Sequence, residues 1–214
     1  MSLNLIGSGL SPYVRKVRVF LAEKNLSYDH DPMIPMGVSD EYKKKSPLGK
    51  IPCLEHDGRP IPDSSVICSY LERVFQDPPL YPEDPYDFAR ALWFEEYADT
   101  KLLEAGIALF QERVLAKRFF QREPDTAKVD KAIAEGLPPF LDYLNEQIGD
   151  GEYLVAGRFT LADIAVASPF VNFQYGDYRP DAARWPKLAA YLDRIHARPS
   201  FKTLIEEGRA GLGL

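Results

Sequence analysis

Apolar and polar residues change their spacing several times along the first third of the chain. Residues 3–8 form an extended apolar stretch, 11–24 place apolar residues at helical spacing, and 26–33 return to an extended pattern, with proline and glycine at each change. This order predicts a strand, a helix and a second strand, the start of a βαβ unit. A polar stretch around 39–45 links this unit to the next segment.

Two short strand-like segments come next. Residues 51–56 and 59–61 flank an Asp-Gly pair at 57–58, which favours a tight two-residue turn, so a β-hairpin is predicted. A helix then begins at Asp63 or Ser64, because short polar residues that cap helices precede apolar residues at helical spacing. The first part of the chain therefore ends on a ββα segment.

A proline-rich segment follows this helix. Residues 76–85 read QDPPLYPEDP, and four prolines in ten residues are incompatible with a continuing helix. We place a linker at 77–85, between a first domain at 1–76 and a second domain at 86–214.

The second domain has helical spacing almost throughout. Residues 87–121 form one long apolar-faced segment, and 125–148 form another with a break expected at Pro138-Pro139. Further helices are predicted to start at Thr160, Pro186 and Ser200. A mixed α/β domain followed by an all-α domain is thus the predicted architecture.

The composition is that of an ordinary globular protein, with 45% apolar residues and a net charge of −6. No apolar run is long enough to span a bilayer, and the acidic balance argues against general nucleic-acid binding. Cys53 and Cys68 are too few for a disulfide framework and lack zinc-site spacing, which favours a cytoplasmic protein. No two of His30, His56 and His196 share a helix face, so no metal site is predicted.

Five strings in order resemble the cytosolic glutathione transferase family, in particular its serine-type, bacterial-like members. They are SPYVRKVRVFLAEK, SPLGKIPCLE, IPDSSVICSYLE, GRFTLADIAVASP and RPSFKTLIEE. The resemblance implies a thioredoxin-like first domain of order βαβαββα that binds glutathione as co-substrate. It also implies an all-α second domain that forms the electrophile site, and a homodimer.

Ser11 begins the first predicted helix. A serine cap followed by Pro12 is a favoured helix start, and it can serve the helix alone. Arg15, Lys16 and Arg18 nevertheless crowd the positive end of this helix, where acidic residues are normally preferred. Such an end favours an anion such as a thiolate, although each base taken singly is expected to pair with an acidic residue elsewhere.

The resemblance places the catalytic residue of the family at this turn. Ser11 matches best, with Ser8 and Tyr13 as neighbouring alternatives. Family members with cysteine here often favour glutathione-disulfide or thiol exchange. A serine therefore indicates conjugation, or peroxide reduction by bound glutathione.

Pro52 stands at the start of the third predicted strand, where it can simply protect a sheet edge. The resemblance instead implies the cis-proline of the family. Ile51 is then expected to pair with the cysteinyl main chain of glutathione by strand-like hydrogen bonds. Lys50 is a candidate partner for a glutathione carboxylate.

Asp63 and Ser64 are good helix caps, and this structural role alone would explain them. The resemblance favours binding: Ser64 and its amide would hold the γ-glutamyl carboxylate, and Asp63 would accept a hydrogen bond from the ammonium group. Most relatives have glutamate in place of Asp63. A further motif, Thr160 to Asp163, fits a capping box that stabilises the second domain.

Three functions are compatible with these residues. The first is a glutathione transferase that stabilises the thiolate at Ser11 and transfers it to a small apolar electrophile, or uses it to reduce a peroxide. The second is a non-catalytic binding or regulatory module of the same fold. The third is a glutathione-dependent isomerase, dehalogenase or reductive cleavage enzyme for a dedicated metabolite.

Overall fold

The computed structural model describes residues 2–214 and divides into two units, with the division between Leu80 and Tyr81. This division falls within the predicted linker 77–85. Glutathione binding by the first domain and an electrophile site in the second domain remain predictions.

The first unit has the predicted element order βαβαββα. Its elements are β1 (Leu3–Ile6), α1 (Pro12–Glu23), β2 (Asp29–Asp31), α2 (Asp40–Lys45), β3 (Cys53–His56), β4 (Arg59–Pro62) and α3 (Ser64–Val74). The sheet order is β2-β1-β3-β4, with β1 and β2 parallel and the other pairs antiparallel. This is the thioredoxin-like arrangement, so the expected fold class is confirmed. The polar stretch 39–45 contains the short helix α2.

The hairpin between β3 and β4 confirms the turn prediction. Asp57 and Gly58 have φ values of 49° and 77°, the two positive values that a tight primed turn requires. Asp57 also accepts a hydrogen bond from the Ser2 N–H at 2.8 Å, which ties the turn to the residue before β1. The turn thereby fixes the register of β3 with both of its neighbours.

A buried lysine fixes the chain that leaves α3. The Lys24 side chain is fully buried at the end of α1, and its Nζ lies 2.8 Å from Glu72 Oε2. The same Nζ donates to the carbonyls of Phe75 and Pro78 at 2.6 and 2.8 Å. Glu72 in turn accepts from the Leu80 N–H. A buried ammonium needs several oxygen partners, and here they hold the proline-rich segment against the first unit.

The second unit is all-helical, as predicted. Its α-helices are α4 (Pro85–Tyr97), α5 (Leu103–Phe110), α6 (Ala116–Arg118), α7 (Thr126–Lys131), α8 (Pro138–Ile148), α9 (Leu161–Tyr175), α10 (Pro186–His196) and α11 (Pro199–Leu212). Three single π-helical turns, Ala98–Leu102, Gln111–Leu115 and Ala132–Gly136, interrupt the predicted long helices. The break expected at Pro138-Pro139 coincides with the start of α8, where proline is tolerated because the first turn has no partner for its N–H.

Helix α9 lies at the centre of the second unit, with nearly every residue buried. Thr160 and Asp163 form the predicted capping box at its start. The buried Asp163 carboxylate accepts hydrogen bonds from the N–H groups of Leu154 and Thr160 and from the Tyr191 hydroxyl, at 2.9 to 3.0 Å. Asp163 therefore joins α9 to α10 and to the loop before α9.

Within residues 2–214, no helix combines the length and apolar character that a membrane crossing would require. In the same part of the chain, no group of three His, Cys, Asp or Glu side chains is arranged to hold a metal ion.

Candidate functional site

The residues predicted to bind a ligand meet at one edge of the sheet of the first unit. Asp31, Ile6, Cys53 and Pro62 form one row across β2, β1, β3 and β4. Three segments therefore lie side by side at this end of the strands: the one that follows β1, the one that precedes β3 and the one that follows β4. Neighbouring strands lie about 4.8 Å apart, so these three segments span on the order of 10 Å. We use the term ligand edge for the six residues of these segments that are predicted to bind a ligand. They are Ser11, Lys50, Ile51, Pro52, Asp63 and Ser64.

Gly7 lets two parts of the ligand edge approach each other. It follows β1 with a φ of 147°, a conformation that residues with a side chain rarely adopt. A Cβ at this position would lie 2.6 Å from Val14 Cγ2 and 3.1 Å from Ile51 Cβ. Because Gly7 has no side chain, the first turn of α1 can pack close to Ile51.

Ser11 caps α1 as predicted. Its Oγ accepts a hydrogen bond from the Val14 N–H at 3.4 Å, and Pro12 is the first helical residue. The hydroxyl hydrogen of Ser11 has no acceptor among residues 2–214, so it can be donated to a ligand. The alternative Ser8 uses its Oγ to accept from the Leu10 N–H. Tyr13 lies half-buried in the first turn of α1.

The segment before β3 has the expected backbone. The Ile51–Pro52 peptide bond is cis, and β3 starts at the next residue. Lys50 is exposed and has no ion-pair partner among the described residues, so its ammonium group can meet a carboxylate. The Lys50 carbonyl accepts hydrogen bonds from the hydroxyls of Tyr42 and Ser46, both at 2.8 Å.

Capping of α3 uses only some of the polar atoms of Asp63 and Ser64. Asp63 Oδ1 accepts from the N–H groups of Ser65 and Val66 at 2.9 and 3.2 Å, and this oxygen therefore serves the helix. Among residues 2–214, Asp63 Oδ2 and the Ser64 amide and hydroxyl have no hydrogen-bond partner. An acceptor and two donors are thus left for a ligand with adjacent ammonium and carboxylate groups.

Two of the basic residues near the start of α1 are buried and contact hydroxyl groups. Lys16 is fully buried, and its Nζ donates to Ser65 Oγ at 3.1 Å. Arg18 Nε donates to the Tyr28 hydroxyl at 2.9 Å. Lys16 therefore links α1 to the first turn of α3.

Cys53 is the cysteine beside the ligand edge, but its environment does not suit a nucleophile. It is fully buried in β3, and burial raises the pKa of its thiol. A thiol that stays protonated and inaccessible reacts slowly.

Comparison with known proteins identifies the family of this chain. Residues 5–79 match the model of the glutathione S-transferase N-terminal domain, and residues 111–208 match the model of the C-terminal domain. The curated protein LigF of Sphingobium sp. strain SYK-6 is 30% identical, over 98% of this chain and 95% of LigF. This chain belongs to the glutathione S-transferase family. It is a transferase with the two-domain fold of that family.

Two solved glutathione S-transferases are similar over nearly the whole chain. The enzyme from Rhodospirillum rubrum F11 is 29% identical with a TM-score of 0.85, covering 94% of this chain and 91% of that one. The enzyme from Methylobacterium radiotolerans, solved in complex with glutathione sulfonate, is 31% identical with a TM-score of 0.78. It covers 96% of this chain and 95% of that one.

Two residues near the ligand edge of this transferase are not predicted from the sequence. Tyr42 and Ser46 lie in and just after a lysine-rich polar stretch that gives no sign of burial, yet both are buried. The aromatic ring of Tyr42 within a polar helix is the one signal that points to a buried position.

Proposed function

We propose that this transferase binds glutathione along the ligand edge and activates its thiol at Ser11. The observation that supports this most is the set of unpaired groups there. The Ser11 hydroxyl suits the thiolate, Lys50 suits a carboxylate, and Asp63 Oδ2 suits the ammonium group. The Ser64 amide and hydroxyl suit the γ-glutamyl carboxylate. An extended tripeptide is about 10 Å long, which agrees with the span of the three segments.

In the proposed reaction the thiolate attacks a small apolar electrophile. The sulfur lone pair forms a bond to an electrophilic carbon, and either a leaving group departs with its electron pair or the carbon is protonated after addition. With a peroxide, the thiolate attacks the O–O bond. Two glutathione molecules then reduce one peroxide to alcohol and water and are oxidised to the disulfide. Such activities would give the protein a detoxifying role.

A second candidate is a dedicated glutathione-dependent cleavage enzyme. The specific support is the similarity to LigF, whose solved structure is described as a beta-etherase and is 27% identical with a TM-score of 0.79. In this version the thiolate displaces an alkoxide or phenoxide from the carbon of an ether. The same ligand edge would serve either reaction.

Activity assays separate these candidates from a non-catalytic module. The purified protein is incubated with glutathione and an activated aryl chloride, a hydroperoxide or an aryl ether, and the products are followed by mass spectrometry. Conjugates or oxidised glutathione support the transferase, and exclusive ether cleavage supports the dedicated enzyme. Binding of glutathione without turnover of any substrate would contradict both and favour the module.

We further propose that the protein acts as a cytoplasmic homodimer. Four large side chains on α4 are exposed, with exposed fractions of 73% for Tyr86, 39% for Phe88, 38% for Leu92 and 52% for Trp93. Phe88 and Leu92 are four residues apart and share one side of α4, whereas Tyr86 and Trp93 are seven apart and share another. Exposed apolar side chains of this kind are typical of an interface. Neither Cys53 nor Cys68 forms a disulfide and both are buried, which suits a reducing compartment. Sedimentation equilibrium giving the mass of a single chain would contradict the dimer.

Replacing Asp63 with asparagine should weaken glutathione binding about tenfold without lowering stability. Asparagine is an equally good helix cap but lacks the charge that attracts the ammonium group. Asp84 gives a matched control, since it caps α4 with bonds from the Tyr86 and Asp87 N–H groups at 2.9 and 3.0 Å. Calorimetry should show reduced affinity for Asp63→Asn and unchanged affinity for Asp84→Asn. Equal affinities would refute the γ-glutamyl assignment.

A further inference from the structure

The carbonyl of Lys50 is held by two buried hydroxyl groups. Tyr42 and Ser46 have exposed fractions of 5% and 2%, and each donates to this oxygen at 2.8 Å. Two donors use both lone pairs of the carbonyl, so its direction is fixed. Neither hydroxyl is needed to complete a helix or a strand.

The local fold makes this double contact possible. The Gly49 N–H donates to the Ser46 carbonyl at 2.8 Å, and Gly49 has a φ of 65°, so the chain turns back and brings Lys50 to Ser46. Tyr42 packs in a small core with Ile6 and Cys53, against which Ile51 also packs. The two hydroxyls are therefore rigid supports.

Fixing this carbonyl also fixes the amide of the next residue. The Lys50–Ile51 peptide bond is trans, and in a trans peptide the C=O and N–H point in opposite directions. Because the carbonyl faces the two buried hydroxyls, the Ile51 N–H faces away from them. This N–H has no acceptor among residues 2–214, and it belongs to the ligand edge.

We propose that Tyr42 and Ser46 are positioning residues that aim the Ile51 N–H at the cysteinyl carbonyl of glutathione. The inference rests on the proposed function, since it requires glutathione at the ligand edge. A peptide ligand that adds to a strand edge gains affinity from main-chain hydrogen bonds, and these depend on amide direction. Tyr42 and Ser46 act only through the Lys50–Ile51 peptide and are separate from the thiol activation at Ser11.

The acid–base properties of Tyr42 suit a permanent donor. Burial, with a smaller contribution from the nearby Cys53 thiol, raises the pKa of Tyr42 to about 12. The Tyr42 hydroxyl therefore keeps its hydrogen between pH 6 and 9. Any effect of removing it should be independent of pH between pH 6 and 9.

The test compares Tyr42→Phe, Ser46→Ala and the double variant with the wild type. Calorimetry should give about fivefold weaker glutathione binding for each single variant and about thirtyfold for the double variant. The pKa of the bound thiol should not change. Tyr70→Phe and Ser69→Ala on α3 are matched controls, because the Tyr70 hydroxyl instead contacts His56 Nδ1 at 2.6 Å and Ser69 is exposed. Both controls should bind as the wild type does.

A second readout reports on the Ile51 amide itself. Hydrogen exchange followed by NMR should slow at least tenfold at this amide when the wild type is saturated with glutathione. In the double variant at equal saturation, the slowing should be under threefold. Equal protection in both proteins, or wild-type affinity in the double variant, would overturn the inference and leave the proposed function intact. Failure of the wild type to bind glutathione would overturn both.

Discussion

Ser11→Ala should lower the rate of glutathione conjugation about thirtyfold at pH 7. A thiol with a pKa of about 8.5 is only a few per cent ionised at neutral pH, so complete ionisation by the enzyme raises the thiolate concentration by about this factor. The Ser11 hydroxyl hydrogen is unpaired in the structure and is the donor that we assign to the thiolate. The loss should shrink as the pH approaches 9, where glutathione ionises without help.

Steady-state rates between pH 6 and 9 measure this effect. Ser11→Thr is the matched control, since threonine keeps both the hydroxyl and the helix cap and should retain most of the activity. Alanine also removes the cap, at a cost of about 1 kcal/mol in stability, so thermal unfolding of each variant is compared. A Ser11→Ala enzyme with the wild-type rate and pH profile would transfer the role to Ser8, Tyr13 or the backbone amides.

Asp163→Ala should produce the largest loss of stability, about 3–5 kcal/mol in the free energy of unfolding. The variant leaves the buried N–H groups of Leu154 and Thr160 and the Tyr191 hydroxyl without their shared acceptor, and each unsatisfied group costs about 1–3 kcal/mol. Urea unfolding measures the change. Asp125→Ala, which removes the half-buried cap of α7, should cost only about 1 kcal/mol. Equal losses in the two variants would contradict the central role of Asp163.

Asp163 should also make stability depend on pH. Burial raises the pKa of its carboxyl to about 6, although the hydrogen bonds from Leu154, Thr160 and Tyr191 act in the opposite direction. The unfolded chain has the ordinary aspartate pKa of about 3.9. Between these values the folded protein keeps a proton that the unfolded chain has lost, so stability falls as pH rises, by at most about 1.4 kcal/mol per unit.

This contribution is therefore present below about pH 4 and is lost above about pH 6. Asp163→Asn cannot titrate, so the difference in stability between wild type and this variant should change across that interval and be constant above it. Urea unfolding at several pH values provides the comparison. A constant difference throughout would show that Asp163 is ionised in the folded protein over the whole interval.

The parts of the fold that sequence predicts are those fixed by local chemistry. The Asp57-Gly58 turn follows from two residues that tolerate positive φ, and the start of α3 follows from the capping side chain of Asp63. The π-helical turns within 85–136 leave no comparable mark, because each adds one residue to a turn and none has a side-chain cap at its start.

Some residues in and around the ligand edge can likewise be predicted from the sequence, and others cannot. Ser11, Pro52 and Ser64 stand in strings that resemble one family, and the register of the sheet brings these strings together. Tyr42 and Ser46 could not be predicted, because their contact with Lys50 depends on the turn at Gly49 and on the core around Cys53. Contacts of this kind arise from tertiary packing rather than from local pattern.

The most direct test of the central claim is a calorimetric titration of the purified protein with glutathione, followed by the ultraviolet absorbance of the bound thiolate from pH 5 to 9. We predict saturable binding and a bound thiol whose pKa lies well below the free value of about 8.5. Absence of binding at millimolar glutathione, or a bound thiol that titrates like the free one, would contradict it.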